Sequence, residues 1–193
     1  LVYSTYLGGL SDDIANSITV DSSGNAYIAG ETFSNNFPGR NPLQGSINGT
    51  IDAFVTKLNA DGTSLAYSTY LGGSSSEISF GVAVDQARNI YVTGITFSLD
   101  FPTQNPAQAT NAGRVDAFVT KISSTGSSLV YSTYFGGNHD DGGFGIGTDS
   151  SGNIYIAGFT SSSDFPVKNA FQAASGGGEP EADDAIVAKF DPA

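Results

Sequence analysis

Apolar and polar positions alternate along residues 1–7: Leu1, Tyr3, Thr5 and Leu7 fall on one side, Val2, Ser4 and Tyr6 on the other. Alternation in a run rich in Tyr, Thr and Val predicts a β-strand, and Gly8-Gly9 ends it. A polar loop over 10–13 follows. Ser17–Asp21 and Ala26–Thr32 then flank Ser22-Ser23-Gly24-Asn25, whose Gly and Asn tolerate positive φ, so this stretch predicts a hairpin. A long loop over 33–50 leads to Asp52–Leu58, a further strand, and the turn Asn59–Ser64 returns to a strand starting at Leu65. No segment carries the period of a long helix.

The strand after that turn repeats the opening one. LVYSTYLGG from Leu1, LAYSTYLGG from Leu65 and LVYSTYFGG from Leu129 begin at a constant step of 64 residues. The hairpin recurs as Gly81–Asp85 with Ile90–Thr96 and as Gly145–Asp149 with Ile154–Thr160. A fixed period means units that pack on their neighbours. The first hairpin strand carries only small residues on one face (Ser17, Thr19; Gly81, Ala83; Gly145, Gly147). The other face is bulkier (Ile18, Val20; Phe80, Val82, Val84; Phe144, Ile146, Thr148). Such a strand suits the crowded centre where sheets converge, the innermost position of a propeller blade.

The expected fold is therefore all-β, with three four-stranded antiparallel propeller-type blades forming part of a larger or oligomeric ring or stack. Residues 1–9 are an outer strand completing another blade. Blade 1 covers 14–73 and blade 2 covers 78–137, while blade 3, 142–193, lacks its outer strand. Three blades fall short of the ~4–8 that close a ring. Leu1, Tyr3, Thr5 and Leu7 on one side, and Ile186, Ala188 and Phe190 on the other, are then assembly edges. They would be joined within a longer propeller, between chains, or in a filament if the contact does not close.

These units resemble the SBBP family of β-propeller repeats, whose marks are a YSTYLGG strand, a GDD-type loop, a VDSSGNAYVTG hairpin and a DFP loop. Copy one shows them at Tyr3–Gly9, Ser11–Asp13, Val20–Gly30 and Asn36–Pro38. Copy three shows them at Tyr131–Gly137, His139–Asp141, Thr148–Gly158 and Asp164–Pro166. Asn36 replaces an acid, Ser76-Glu77 replaces the Asp pair, and copy three carries an insertion around Gly176–Asp183. The resemblance implies four-stranded blades in secreted or surface proteins of microbes, and no single activity.

Charge narrows the partners. The chain has 19 acids against 7 bases, a net charge of −12. Such a surface repels phosphate backbones and anionic lipids, so nucleic acid and membrane insertion are not expected. No apolar run reaches the ~20 residues of a membrane helix. With no Cys, disulfide and thiolate chemistry are absent. A first residue other than Met, inside a strand pattern, reads as a processed or excised piece.

Successive turns of a meander lie at opposite ends, so the long loops share one rim. That rim gathers Asp12, Asp13, Glu77, Asp100, Asp140, Asp141 and Asp164, the expected ligand or partner surface. Asp12, Asp13, Asp140 and Asp141 are the candidate metal ligands, with Ca²⁺ the ion that such oxygens suit. The competing reading is that these acids cap turns, and no cofactor is required. The same two readings apply to Asp21-Ser22-Ser23-Gly24-Asn25, which lacks a twelfth-position glutamate. Phe37-Pro38, Phe101-Pro102 and Phe165-Pro166 read as loop pins, with sugar stacking as the other use. Asn41, Asn105 and Asn169, followed by Gln44, Gln108 and Gln172, read as amides serving loop backbone.

Residues that break the repeat are Arg40, Arg88, Arg114, His139, Lys168, Glu179 and Glu181, and they form no acid–base pair. The expectation is a non-enzymatic extracellular or cell-surface scaffold or binding module. Its partners are protein, either itself or the rest of a longer propeller, and carbohydrate. A metal-dependent polysaccharide-active enzyme and a structural filament subunit are the alternatives.

Overall fold

The computed structural model describes residues 1–176 and 182–191. The insertion around Gly176–Asp183, with Glu179 and Glu181, thus lies largely outside the described residues. Eleven strands form three antiparallel meanders, and among the described residues there is no helix. Blade 1 runs β1 (Asp13–Val20), β2 (Ala26–Thr32), β3 (Asp52–Leu58) and β4 (Leu65–Leu71). Blade 2 runs β5 (Glu77–Val84), β6 (Ile90–Thr96), β7 (Asp116–Ile122) and β8 (Leu129–Phe135). Blade 3 has β9 (Asp141–Thr148), β10 (Ile154–Thr160) and β11 (Asp184–Phe190).

The first strand of each blade begins earlier than alternation suggests, because a bulge interrupts the period. Ala15 pairs with Gly30 and Ser17 with Ala29, which leaves Asn16 unpaired. Phe80 and Phe144 occupy the same bulge in β5 and β9. An extra residue re-aims its own side chain, so these rings leave the face expected from strict alternation. They meet each other instead, with centroids 5.4 Å apart.

β5 packs on β1, β2 and β3, and β9 packs on β5, β6 and β7. The innermost strands of blades 2 and 3 thus cross the preceding sheet, and two core clusters lie between blades. Val82 of β5 packs with Tyr27, Ala29 and Val55 of blade 1. Ile146 packs with Tyr91 and Val119 of blade 2. Small residues permit this approach: a Cβ on Gly81 would stand 2.9 Å from the Phe144 carbonyl oxygen.

The outermost strand is held on both edges. β4 pairs with β3 on one side. On the other, the β2–β3 loop bridges back, Arg40 to Ser68 and Gln44 to Tyr70. Tyr70 Oη accepts the Phe37 N–H at 2.9 Å and donates to the Ser34 carbonyl at 2.7 Å. Tyr134 makes the same pair of bonds with Phe101 and Ser98. Phe37 and Phe101 are buried against Phe54 and Phe118, with centroids 4.5 and 4.8 Å apart, so in blades 1 and 2 the Phe-Pro element pins its loop.

Residues 1–9 form no strand ladder. The segment nevertheless lies on blade 1 as β4 lies on blade 2. Tyr3 covers Gly62 as Tyr67 covers Gly126, and Leu7 joins the Phe37 cluster. Its opposite face is free: Tyr6 is 102% exposed, where Tyr134 is 1% exposed.

A buried hydroxyl that satisfies two backbone groups leaves both unpaired when deleted, at about 1–3 kcal/mol. Tyr134→Phe is expected to lower unfolding free energy by that amount in urea titration. Tyr6→Phe is expected to leave it unchanged.

Candidate functional site

The long loops meet where each blade passes to the next, around the glycine pair that ends the outermost strand. Four successive N–H groups there point to side chains. Gly72 N donates to Gln44 Oε1 (2.9 Å), Gly73 N to Glu77 Oε2 (2.9 Å), Ser74 N to Asp100 Oδ1 (2.8 Å) and Ser75 N to Ser98 Oγ (2.8 Å). The next junction repeats the set: Gly136 to Gln108, Gly137 to Asp141, Asn138 to Asp164 and His139 to Ser162. Before blade 1, Gly9 donates to Asp13, Leu10 to Asn36 and Ser11 to Ser34. Asn36 therefore serves where the other copies use an acid, since a carboxamide oxygen accepts as a carboxylate does.

The glycines are required by proximity. A Cβ on Gly73 would lie 2.5 Å from Asp100 Oδ1 and 2.6 Å from Ser98 Cβ. One on Gly136 would lie 2.7 Å from both Asp116 Cγ and Asp141 Oδ2.

The rim acids thus divide by role. Asp13, Glu77, Asp100, Asp141 and Asp164 each accept backbone N–H groups of a junction. Asp140 is forked by Arg114, with Nε–Oδ1 at 3.1 Å and Nη2–Oδ2 at 2.9 Å. Asp12 is exposed. Of the four candidate metal ligands, Asp13 serves the junction before blade 1 and Asp141 the one before blade 3, so the structure does not bring the set together. Among the described residues no group of three or more His, Cys, Asp or Glu is placed to hold a metal ion.

Two further acids belong to these junctions. Asp52 and Asp116 open the third strand of blades 1 and 2 and are fully buried. Asp52 accepts Gln44 Nε2 (2.6 Å) and the N–H groups of Asn48 and Gly49 (both 3.1 Å). Asp116 accepts Gln108 Nε2 (2.6 Å) and Ala112 N (3.0 Å). Gln44 and Gln108 thus each join a glycine N–H to a buried carboxylate. Recurrence of DAF at one register was the available signal. Asn41, Asn105 and Asn169 take left-handed backbone, φ 46°, 47° and 50°, which Asn tolerates, and Asn105 Nδ2 also donates to the Val130 carbonyl at 3.4 Å.

The acids shift in both directions. At the short-turn rim, burial pushes Asp21 up, but bonds from Asn25, Ser23 and Tyr27 outweigh it and hold the carboxyl far below the usual range. Lys57 Nζ stands 3.6 Å from it. The turn's own amides fill this carboxylate, as Asn89 and Tyr91 do for Asp85. At the long-loop rim burial wins for the fully buried acids, while bonds from the Ser74 N–H and hydroxyl hold the exposed Asp100 low. Burial raises Asp52 and Glu77, and it pushes Asp116 up to about 6, with the Asp141 carboxylate adding to it.

Comparison with protein-family models matches a β-propeller repeat, SBBP, three times, at residues 2–38, 66–102 and 130–166. Each match runs from the outermost strand through the junction to the Phe-Pro pin. Curated proteins yielded no match to the chain.

Forcing a Cβ into a close-packed junction costs about 1–3 kcal/mol. Gly73→Ala is expected to lose that much in thermal or urea unfolding. Gly145→Ala, where a Cβ meets nothing within 4 Å, is expected to stay within about 0.5 kcal/mol of the parent.

Proposed function

The chain belongs to the SBBP β-propeller repeat family, a family of scaffold and binding modules, and from that premise we propose that it works as an extracellular or cell-surface scaffold assembled by strand addition. The observation that carries this reading is a slot in blade 3. Among the described residues β11 has a strand partner, β10, on one edge only. Beside it runs a groove of about 1230 Å³ lined by Phe135, Phe165, Phe171, Gln172, Ile186 and Ala188, among others. The matching place in blades 1 and 2 holds β4 and β8, bonded on both edges.

The occupant is a YSTYLGG-type strand, from residues 1–7 of another copy or from a further repeat. By the register of β3 with β4, Leu7 would face Ala185, Tyr6 Ile186, Thr5 Val187, Ser4 Ala188 and Tyr3 Lys189. Tyr6 Oη would take the Phe165 N–H, and Gln172 would take the Gly8 N–H, as Tyr70 and Gln44 do in blade 1. Unpaired strand edges recruit such partners, with main-chain bonds giving affinity and pockets giving register.

The blade faces support the same reading. Val187 is 83% exposed where its counterpart Val55 is 0% exposed, and Ile18 and Val20 are exposed on the first blade. Val82 of blade 2 covers the Val55 face of blade 1. Those two exposed faces would meet in a head-to-tail contact, which closes or propagates according to its rotation. No metal or other cofactor is invoked. Carbohydrate, if bound, would engage exposed loop residues, because Phe37 and Phe101 are buried.

Solution mass against concentration tests this proposal. The chain is expected to self-associate, and deletion of residues 1–7 is expected to abolish association. A peptide of sequence LVYSTYLGG is expected to bind the deleted chain and shift the amide signals of residues 184–190. A monomer indifferent to both deletion and peptide would refute strand addition.

A further inference from the structure

The repeat is broken at several positions in one place, the long-loop rim of the seam between blades 2 and 3. Arg114 stands where blade 1 has Thr50, and Asp140 stands where the loop before blade 2 has Ser76. Phe159 takes the position of Ile95 in blade 2, and Gly142 that of Ile78. These changes belong together. Gly142 pairs with Phe159, and a Cβ on Gly142 would collide with the Phe159 ring and stand 3.0 Å from Ile95 Cγ2. Glycine thus makes room for the larger aromatic. Across the seam Arg114 forks Asp140, with Nε–Oδ1 at 3.1 Å and Nη2–Oδ2 at 2.9 Å. Thr50 and Ser76 have no charges with which to form such a fork.

The result is a cleft of about 300 Å³ lined by Ile95, Phe97, Phe159, Arg114, Asp140 and Asp183, among others. That is room for one ring-sized molecule, at the small end of ligand pockets. The lining has two kinds of surface. Phe97 is 44% exposed. Phe159 lies 5.3 Å from the ring of Phe144, which is itself 51% exposed, so aromatic surface continues beyond the cleft. Arg114 and Asp140 are paired yet keep 62% and 36% of their side chains exposed. The backbone of Asp140 is fixed as well: its N–H donates to Ser161 Oγ at 3.1 Å, and its carbonyl accepts that hydroxyl at 3.0 Å.

Each surface narrows the ligand. Exposed rings take an apolar face, a held carboxylate accepts hydroxyl donors, and a guanidinium donates to oxygens. One base against two acids, on a chain of net charge −12, disfavours an anion. A neutral pyranose combines an apolar C–H face with a rim of hydroxyls. We infer that this cleft binds a neutral sugar unit of a polysaccharide, its ring face on Phe97 and its hydroxyls on the Arg114–Asp140 pair. The site goes beyond strand addition on β11 and does not depend on it.

The chain has no Trp, so Phe97→Trp places a fluorescent reporter in the cleft while keeping an aromatic face. The probes are the methyl glycosides of glucose, galactose, mannose and N-acetylglucosamine. At least one is expected to change that emission, and to shift the parent's amide signals at 95–97, 114–115 and 159–161, with a Kd of about 1–30 mM. Phe97→Ala is expected to weaken binding by about threefold to tenfold. Arg114→Ala is expected to weaken it by about tenfold. Sorbitol, which has the hydroxyls without a ring face, is expected to leave both readouts unchanged. The site is overturned if no glycoside moves these signals, if sorbitol moves them equally, or if both alanine variants bind as the parent does. It is also overturned if galacturonate or the amide of N-acetyl-lysine binds in preference, because a charged partner would then fit the cleft better than a neutral sugar.

Discussion

Consecutive blades are held together by the amides of a glycine-led turn. Gly72 donates to Gln44 of the blade it leaves, and Gly73 to Glu77 of the blade it enters. Gly136 and Gly137 do the same one blade later. Buried N–H groups must find partners, and these find side chains from both blades at once. The repeat's most regular features follow from that need: a glycine pair with no Cβ, an acid at the start of the innermost strand, an acid or amide before Phe-Pro, and a glutamine in the long loop.

That requirement also assigns much of the acidity. Asp13, Glu77, Asp100, Asp141 and Asp164 accept main-chain donors of the junctions, and Asp21, Asp85 and Asp149 accept those of the short turns. The short-turn acids are filled by several donors and held low; Asp116, which shares a buried seam with a second carboxylate, is pushed up. Aspartates thus shift in opposite directions according to donors supplied against water removed, and Asp100 on the long-loop rim, bonded by Ser74, is held low as the short-turn acids are.

Much of the core lies between blades, while the Phe37 cluster lies on blade 1 against its own loop and Leu7. Each sheet covers one face with the next blade's inner strand, so the two end faces are the parts with apolar surface left over. Ile18 and Val20 at one end and Val187 at the other are the counterparts of residues buried at the internal seams.

The sequence by itself determined the period, the strands of each unit and their order, because alternation, turn chemistry and a one-sided small-residue strand are local and recur three times. It also marked the Phe-Pro pins, since an aromatic fixed beside proline has few other uses. What only the tertiary structure decided depends on the meeting of two blades. The bulge at Asn16, Phe80 and Phe144 is one case, because a single unpaired residue leaves almost no mark on a short alternating run. Asp52 and Asp116 are another: each reads as the polar lead-in to a strand until the glycine pair of the same blade closes over it. The facing of Asp116 and Asp141 is the clearest case. They stand 25 residues apart on different blades, and only the packing of one sheet on the next brings their carboxyl groups to either side of Gly136.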